Sequence, residues 1–151
     1  MRNYHKLMVA IVAIFALALI SSQAANAADK VYTVDELKAE AMNAVRNLQP
    51  AEAKAMIENG DIAVIIDVRD GGEVAGGYIP GSVHISRGTL EFKIEKELPD
   101  VAKDAPILIY CKKGARGALS IVQLDKLGYT NLYNLSGGWL QWKEAGYPAT
   151  Q

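Results

Sequence analysis

Cysteine and histidine are almost missing from this chain: 151 residues hold one cysteine, Cys111, and two histidines, His5 and His84. A single cysteine excludes an internal disulfide, and so few thiols and imidazoles exclude a Cys/His-rich zinc site. No carboxylate cluster stands in for them. A basic excess is lacking as well. Lys and Arg number 16 against 17 Asp and Glu, a net charge of −1, which argues against nucleic acid as the main partner. A long apolar run is also absent: Leu7 to Ile20 spans only 14 residues, short for a helix that must cross roughly 30 Å of hydrocarbon.

What is present begins with an address. Arg2 and Lys6 precede the apolar run, Ser21-Ser22-Gln23 end it, and Ala25-Asn26-Ala27 puts small residues where a signal peptidase reads. Residues 1–27 therefore read as a secretory signal cleaved after Ala27, which makes the mature protein periplasmic or otherwise exported, with no membrane attachment after cleavage. No cysteine follows the signal to carry a lipid. His5 and two basic residues leave with it, so the mature chain has 14 basic and 17 acidic side chains and one imidazole, His84. The remaining length suits one domain with one core. In an oxidising compartment an unpaired cysteine is either a buried bystander or a thiol kept for chemistry.

Along the mature chain, Thr33 and Glu36 read as a capping box opening a helix, with Leu37, Ala41, Ala44 or Val45, and Leu48 at helical spacing. The expected organisation is a helical extension over 28–47 and a domain over 48–151. A second helix follows Pro50 and stops at Gly60. Ala63 to Ile66 and Ile107 to Tyr110 are short continuous apolar runs, the pattern of strands covered on both faces. Gly71-Gly72 and Gly76-Gly77 mark a flexible connection and Ile79-Pro80-Gly81 a tight turn. A short strand over 83–85, helices over 89–98 and 115–127, a strand over 132–135 and a helix over 139–145 complete the pattern. Strands alternating with helices predict an α/β domain with a mostly parallel sheet.

In such sheets ligands bind beyond the carboxyl ends of strands. Cys111 directly follows the run Ile107–Tyr110, in the turn Cys111-Lys112-Lys113-Gly114-Ala115-Arg116-Gly117. Gly114 and Gly117 allow successive amides to converge, the following helix adds its positive end, and Lys112, Lys113 and Arg116 add three cations with no acid between them. Surroundings of this kind favour a thiolate near neutral pH, and the same amides can hold an anionic substrate. The alternative is a small core hydrophobe beside a solvated basic face. Asn134-Leu135-Ser136 fits a glycosylation sequon, but its position at a strand end makes chance the better explanation.

From about Leu48 to Ala149 the chain resembles the rhodanese domain. The resemblance rests on Ile66-Asp67-Val68-Arg69, Glu73, Gly77-Tyr78-Ile79-Pro80-Gly81-Ser82, Tyr110-Cys111 with its basic glycine loop, and Gly137-Gly138-Trp139 with Trp142 and Ala145-Gly146-Tyr147-Pro148. It implies a three-layer fold around a five-stranded, largely parallel sheet. It also implies a sulfurtransferase in which Cys111 takes sulfur from a small anionic donor such as thiosulfate, carries it as a covalent persulfide without any cofactor, and yields it to a nucleophilic acceptor, a small molecule or a protein. On this reading the backbone from Lys112 through Gly114 and Ala115 to Arg116 cradles the persulfide. Arg116 and the lysines bind the donor, and Asp67 and Arg69 organise the base of the loop. Tyr78, Trp139 and Trp142 read as packing residues. The family commonly has histidine where Tyr78 stands and serine where Gly117 stands.

Three other readings compete. A cysteine phosphatase would place five residues between Cys and Arg, whereas four separate Cys111 from Arg116. A non-enzymatic rhodanese-like binding or sulfur-carrier module is a second; as a binding surface alone it would not need the cysteine and its basic loop together. A redox thiol protein would need a resolving cysteine, and the chain has none.

Overall fold

The computed structural model describes residues 30–150, so the expected signal over 1–27 lies outside the described residues. Of these, residues 30–33 belong to the first of two compact units, and there the Lys30 ammonium stands 4.1 Å over the Tyr32 ring. Everything from Val34 onward forms the second unit.

That unit contains, in order, α1 (Val34–Ala44), β1 (Arg46–Leu48), α2 (Pro50–Glu58), β2 (Val64–Asp67), α3 (Gly71–Val74), β3 (Ser82–His84), a 3₁₀ turn (Arg87–Thr89), α4 (Leu90–Glu97), β4 (Ile107–Tyr110), α5 (Ala115–Lys126), β5 (Leu132–Leu135) and α6 (Gly138–Glu144). The five strands pair in the order β1-β5-β4-β2-β3, all parallel. The sheet is covered on both faces, as its apolar strands require. Successive residues of β4 point to opposite sides. Ile107 and Ile109 pack with Ile66 against Leu90 and Ile94 of α4 and Ile121 and Leu124 of α5. Leu108 and Tyr110 pack with Ile65 and Leu135 against Ala53 of α2 and Trp139 and Trp142 of α6. This is the expected three-layer α/β sandwich, helices over sheet over helices.

Three local expectations change. The first helix stops at Ala44, not at Leu48, and Arg46–Leu48 pairs with Tyr133–Leu135 as an edge strand. The Asn47 side chain explains the stop: its amide donates to the carbonyls of Met42 at 2.7 Å and Val45 at 3.1 Å, taking up carbonyls at the helix end. Strand β1 therefore crosses the boundary expected at 47/48, and the extension contributes Arg46 and Asn47 to the sheet. Of the residues at helical spacing, Leu37 is 45% exposed, while Ala41 is buried and α1 rests on α5. Finally, Gly71-Gly72 is a helical turn, not a flexible link, because Glu73 reaches back to accept from the Asp70 amide at 3.2 Å.

Candidate active site

Strand β4 lies between β2 and β5, so whatever leaves its carboxyl end emerges among the ends of both neighbours. Cys111 is the first residue to leave. Its side chain is 2% exposed and packs in the cluster of Val68, Ile109 and Ile121. It is not, however, a thiol sealed in hydrocarbon: the Gly114 amide donates to Sγ at 3.2 Å. Gly114 reaches that position at φ +100°, where a Cβ would stand 3.3 Å from the Leu135 carbonyl.

The outer side of the turn is clamped. The carbonyls of Cys111 and Lys112 accept from the amides of Trp139 at 2.8 Å and Leu140 at 3.1 Å, the opening of α6. That approach needs Gly138, at φ +59°, since a Cβ there would sit 2.3 Å from the Cys111 carbonyl oxygen. With these carbonyls held by α6, the start of α5 follows directly. The first bond of α5 runs from the Ala118 amide to the Gly114 carbonyl at 3.0 Å. The amides of Ala115, Arg116 and Gly117 thus open the helix without carbonyl partners inside it, at its positive end.

The cations are distributed differently from the sequence expectation. Lys112 and Lys113 are exposed, but Arg116 is not free. Its guanidinium forms a fork on Glu73, at 2.7 and 2.9 Å, and reaches Asp70 at 3.1 Å. The fold brings these two acids, Glu73 in α3 and Asp70 capping it, onto a loop that has no acid of its own. The Arg116 bonds are the main reason the Glu73 carboxyl is held down at about 2; burial opposes them, and the Asp70 amide and the Lys112 charge assist. The same ion pair raises the pKa of Arg116, with a smaller contribution from the nearby Cys111 sulfur. Arg116 therefore anchors α3 to the loop and has less charge to offer a donor than its sequence position suggests.

Asp67 and Arg69 lie beneath, both buried. Arg69 Nε donates to both oxygens of Asp67 at 2.9 Å, and its terminal nitrogens reach the carbonyls of Gly77 at 2.8 Å and Glu73 at 3.2 Å. The guanidinium lies 4.8 Å from the Trp139 ring centre. The pair thus joins α3 to α6, the two elements that hold Arg116 and the carbonyls of the turn. It makes no hydrogen bond to Cys111. A cavity of about 210 Å³ opens beside Lys112, lined also by Arg69, Glu73, Gly76, Trp139 and Leu140. A larger one, about 300 Å³, lies at α1 and α5 and includes none of these residues.

Comparison with known proteins agrees with this geometry. Residues 49–145 match the Rhodanese-like domain model. The chain belongs to the rhodanese-like domain family. It is 30% identical over 109 residues to the thiosulfate sulfurtransferase GlpE of Pseudomonas fluorescens, covering 72% of this chain and 93% of that one. Among solved structures it is similar to a Rhodopseudomonas palustris protein of unknown function described as a possible tyrosine phosphatase. That match has 31% identity and a TM-score of 0.70, and covers 80% of this chain and 96% of that one. It is also similar to the human single-domain sulfurtransferase TSTD1, with 25% identity and a TM-score of 0.60, covering 65% and 95% of the two chains.

Within this rhodanese-like domain, two features were not readable from the turn alone. One is the role of Glu73 and Asp70, which depends on α3 folding back on α5. The other explains why glycine stands at 117. A Cβ there would be 2.4 Å from Asn134 Oδ1. Asn134 is fully buried and its Nδ2 donates to Asn47 Oδ1 at 2.7 Å, leaving its own Oδ1 without a partner. Because Asn47 already donates to two carbonyls, its oxygen must be the acceptor, so Asn134 cannot turn its amide the other way. A buried Asn134 is also no glycan acceptor. Trp139 and Trp142 are core residues, as expected, and Tyr78 is half-buried, its backbone paired with Thr150.

Proposed function

We propose that this protein is a sulfurtransferase in which Cys111 carries sulfane sulfur as a persulfide. The observation that carries the proposal is the Gly114 amide aimed at Sγ, beside the unbonded first amides of α5. An incoming sulfur on Cys111 would be an anion next to these donors, which need no rearrangement to meet it. In the first half-reaction the Cys111 thiolate attacks the outer sulfur of thiosulfate or another sulfane donor. The new S–S bond forms as the donor's S–S bond breaks, and sulfite leaves with the electron pair. In the second, an acceptor nucleophile such as cyanide or a thiolate, of a small molecule or of a protein, attacks the terminal sulfur and the Cys111 thiolate is regenerated. No external oxidant or metal is required, and ping-pong kinetics follow. Export after cleavage at Ala27 belongs to the same proposal and is checked by sequencing the amino terminus of the protein recovered from cells.

The test is intact-mass measurement after incubation with thiosulfate, together with thiocyanate formation from cyanide. One added sulfur on the native protein and none on Cys111→Ser is the expected result, with turnover abolished in the variant and its fold retained. A wild-type protein that acquires sulfur from no sulfane donor would refute the proposal. Hydrolysis of an aryl phosphate in place of sulfur transfer would favour phosphatase chemistry.

A further inference from the structure

The described residues include four arginines, and three of them are engaged. Arg46 bonds Asn131 and lies over Tyr133, Arg69 is paired with Asp67, and Arg116 with Glu73 and Asp70. The fourth is Arg87. Its Nε is buried without a hydrogen-bond partner, and no carboxylate pairs with its guanidinium among the described residues. A buried unsatisfied donor on a charged side chain is costly, and native structures retain few.

Its place in the fold suggests a reason. Arg87 opens the 3₁₀ turn just after β3, at the carboxyl edge of the sheet where Cys111 leaves β4. Its amide donates to the carbonyl of Val68, one residue beyond β2, at 3.2 Å. Val68 packs in the same buried cluster as Cys111. The turn rests against α5, the helix that the Cys111 loop opens. Strands β3, β2 and β4 are consecutive neighbours, so about two strand spacings, on the order of 10 Å, separate the Arg87 backbone from the Cys111 strand. A long, forked side chain can span that distance.

We infer that Arg87 is the arginine that recognises the anionic end of the sulfur donor, taking the role that the sequence assigns to Arg116. The inference rests on the sulfurtransfer reading and narrows it. Arg116 is neutralised by two acids, whereas Arg87 keeps its full charge and an open donor fork suited to the oxygens of a sulfonate-like group. The donor class is then a doubly charged thiosulfate-type anion, and the site distinguishes it from donors of lower charge.

Ping-pong kinetics separate the two halves of the reaction, so each can be read alone. Arg87→Gln should lower kcat/KM for thiosulfate by about tenfold to a hundredfold, the loss of one charge-assisted contact. For methanethiosulfonate, a donor with one negative charge, the loss should be smaller by at least about threefold. kcat/KM for cyanide, which meets the enzyme after the donor has left, should stay within about twofold. Arg87→Lys should recover part of the thiosulfate rate. Arg87→Met keeps the aliphatic stem and carries the test if the Gln variant does not fold. Equal losses on both donors, a matching loss on cyanide, or no loss at all would overturn the role given to Arg87. A wild-type protein that never takes up sulfur would instead overturn the sulfurtransfer reading itself.

Discussion

Gly138 provides the sharpest check on how the Cys111 loop is held. Alanine at this position faces two separate costs. The first is conformational: at φ +59° a residue with a Cβ adopts left-handed backbone, which costs roughly 1–2 kcal/mol. The second is steric. The added carbon would meet the Cys111 carbonyl oxygen at 2.3 Å and the backbone of Lys112 and Lys113 at 2.9 Å, none of which is a flexible side-chain end. Loop and helix must separate, and the bonds from Trp139 and Leu140 to the Cys111 and Lys112 carbonyls stretch or break. Each such bond is worth about 1 kcal/mol.

The expected loss for Gly138→Ala is therefore about 3–4 kcal/mol, a large share of the roughly 5–15 kcal/mol that holds a typical domain together. Gly60→Ala is the matched control. Gly60 has a similar conformation, φ +78°, but its Cβ would meet nothing within 4 Å, so only the conformational cost of about 1–2 kcal/mol applies. Urea unfolding at fixed pH measures both. A second readout follows the site: Cys111 is 2% exposed, and native-state alkylation by iodoacetamide should speed up in the Gly138 variant, where its cover loosens, and not in the Gly60 variant. Equal destabilisation by the two substitutions would show that the close approach of α6 to the turn is not what fixes the loop.

Glu73 carries a pH signature. Its carboxyl sits at about 2 in the fold against 4.5 for the free group, so the Arg116 pair contributes stability above pH 4.5 that is lost as pH falls toward 2. With the carboxylate 26% exposed, the screened contribution is about 2 kcal/mol, and Glu73→Gln should flatten the fall in urea midpoint between pH 5 and pH 2.5. An unchanged slope would mean that the pair is not formed in solution. Asp67→Asn leaves Arg69 buried beside a neutral partner, so a loss of about 3–5 kcal/mol is expected. Thermal unfolding checks it, and a loss under about 1 kcal/mol would show that solvent reaches the pair.

The layers and the position of the nucleophile were legible because they follow from local pattern. Ile107–Tyr110 is apolar throughout, is buried throughout, and delivers Cys111 to a carboxyl edge. The misread elements are those whose state is set by partners distant in sequence. Arg46–Leu48 continues a helical spacing by eye but becomes a strand because Asn47 takes up helix carbonyls and β5 offers an open edge. Gly117 stands where the family commonly has serine. Glycine is required there by Asn134, 17 positions later, whose oxygen occupies the space a side chain would need.

Charge shows the same limit in the form that matters most for function. Along the chain, Lys112, Lys113 and Arg116 form an uninterrupted basic cluster. In the fold, Glu73 and Asp70 arrive from α3 and cancel most of what Arg116 could give a ligand. A site built only on those cations would hold anions weakly. On the proposed sulfurtransfer reading, a negatively charged sulfur on Cys111 would then rest on groups that carry no formal charge: the Gly114 amide and the opening amides of α5. Amides fixed by backbone do not reorganise when charge develops beside them, and α6 fixes these by holding the carbonyls of the same turn. Arg116 is spent on geometry, and the electrostatics at the sulfur atom itself come from the backbone. This is why weakening the Gly138 contact should lower sulfur uptake by Cys111 even while it opens the thiol to alkylation.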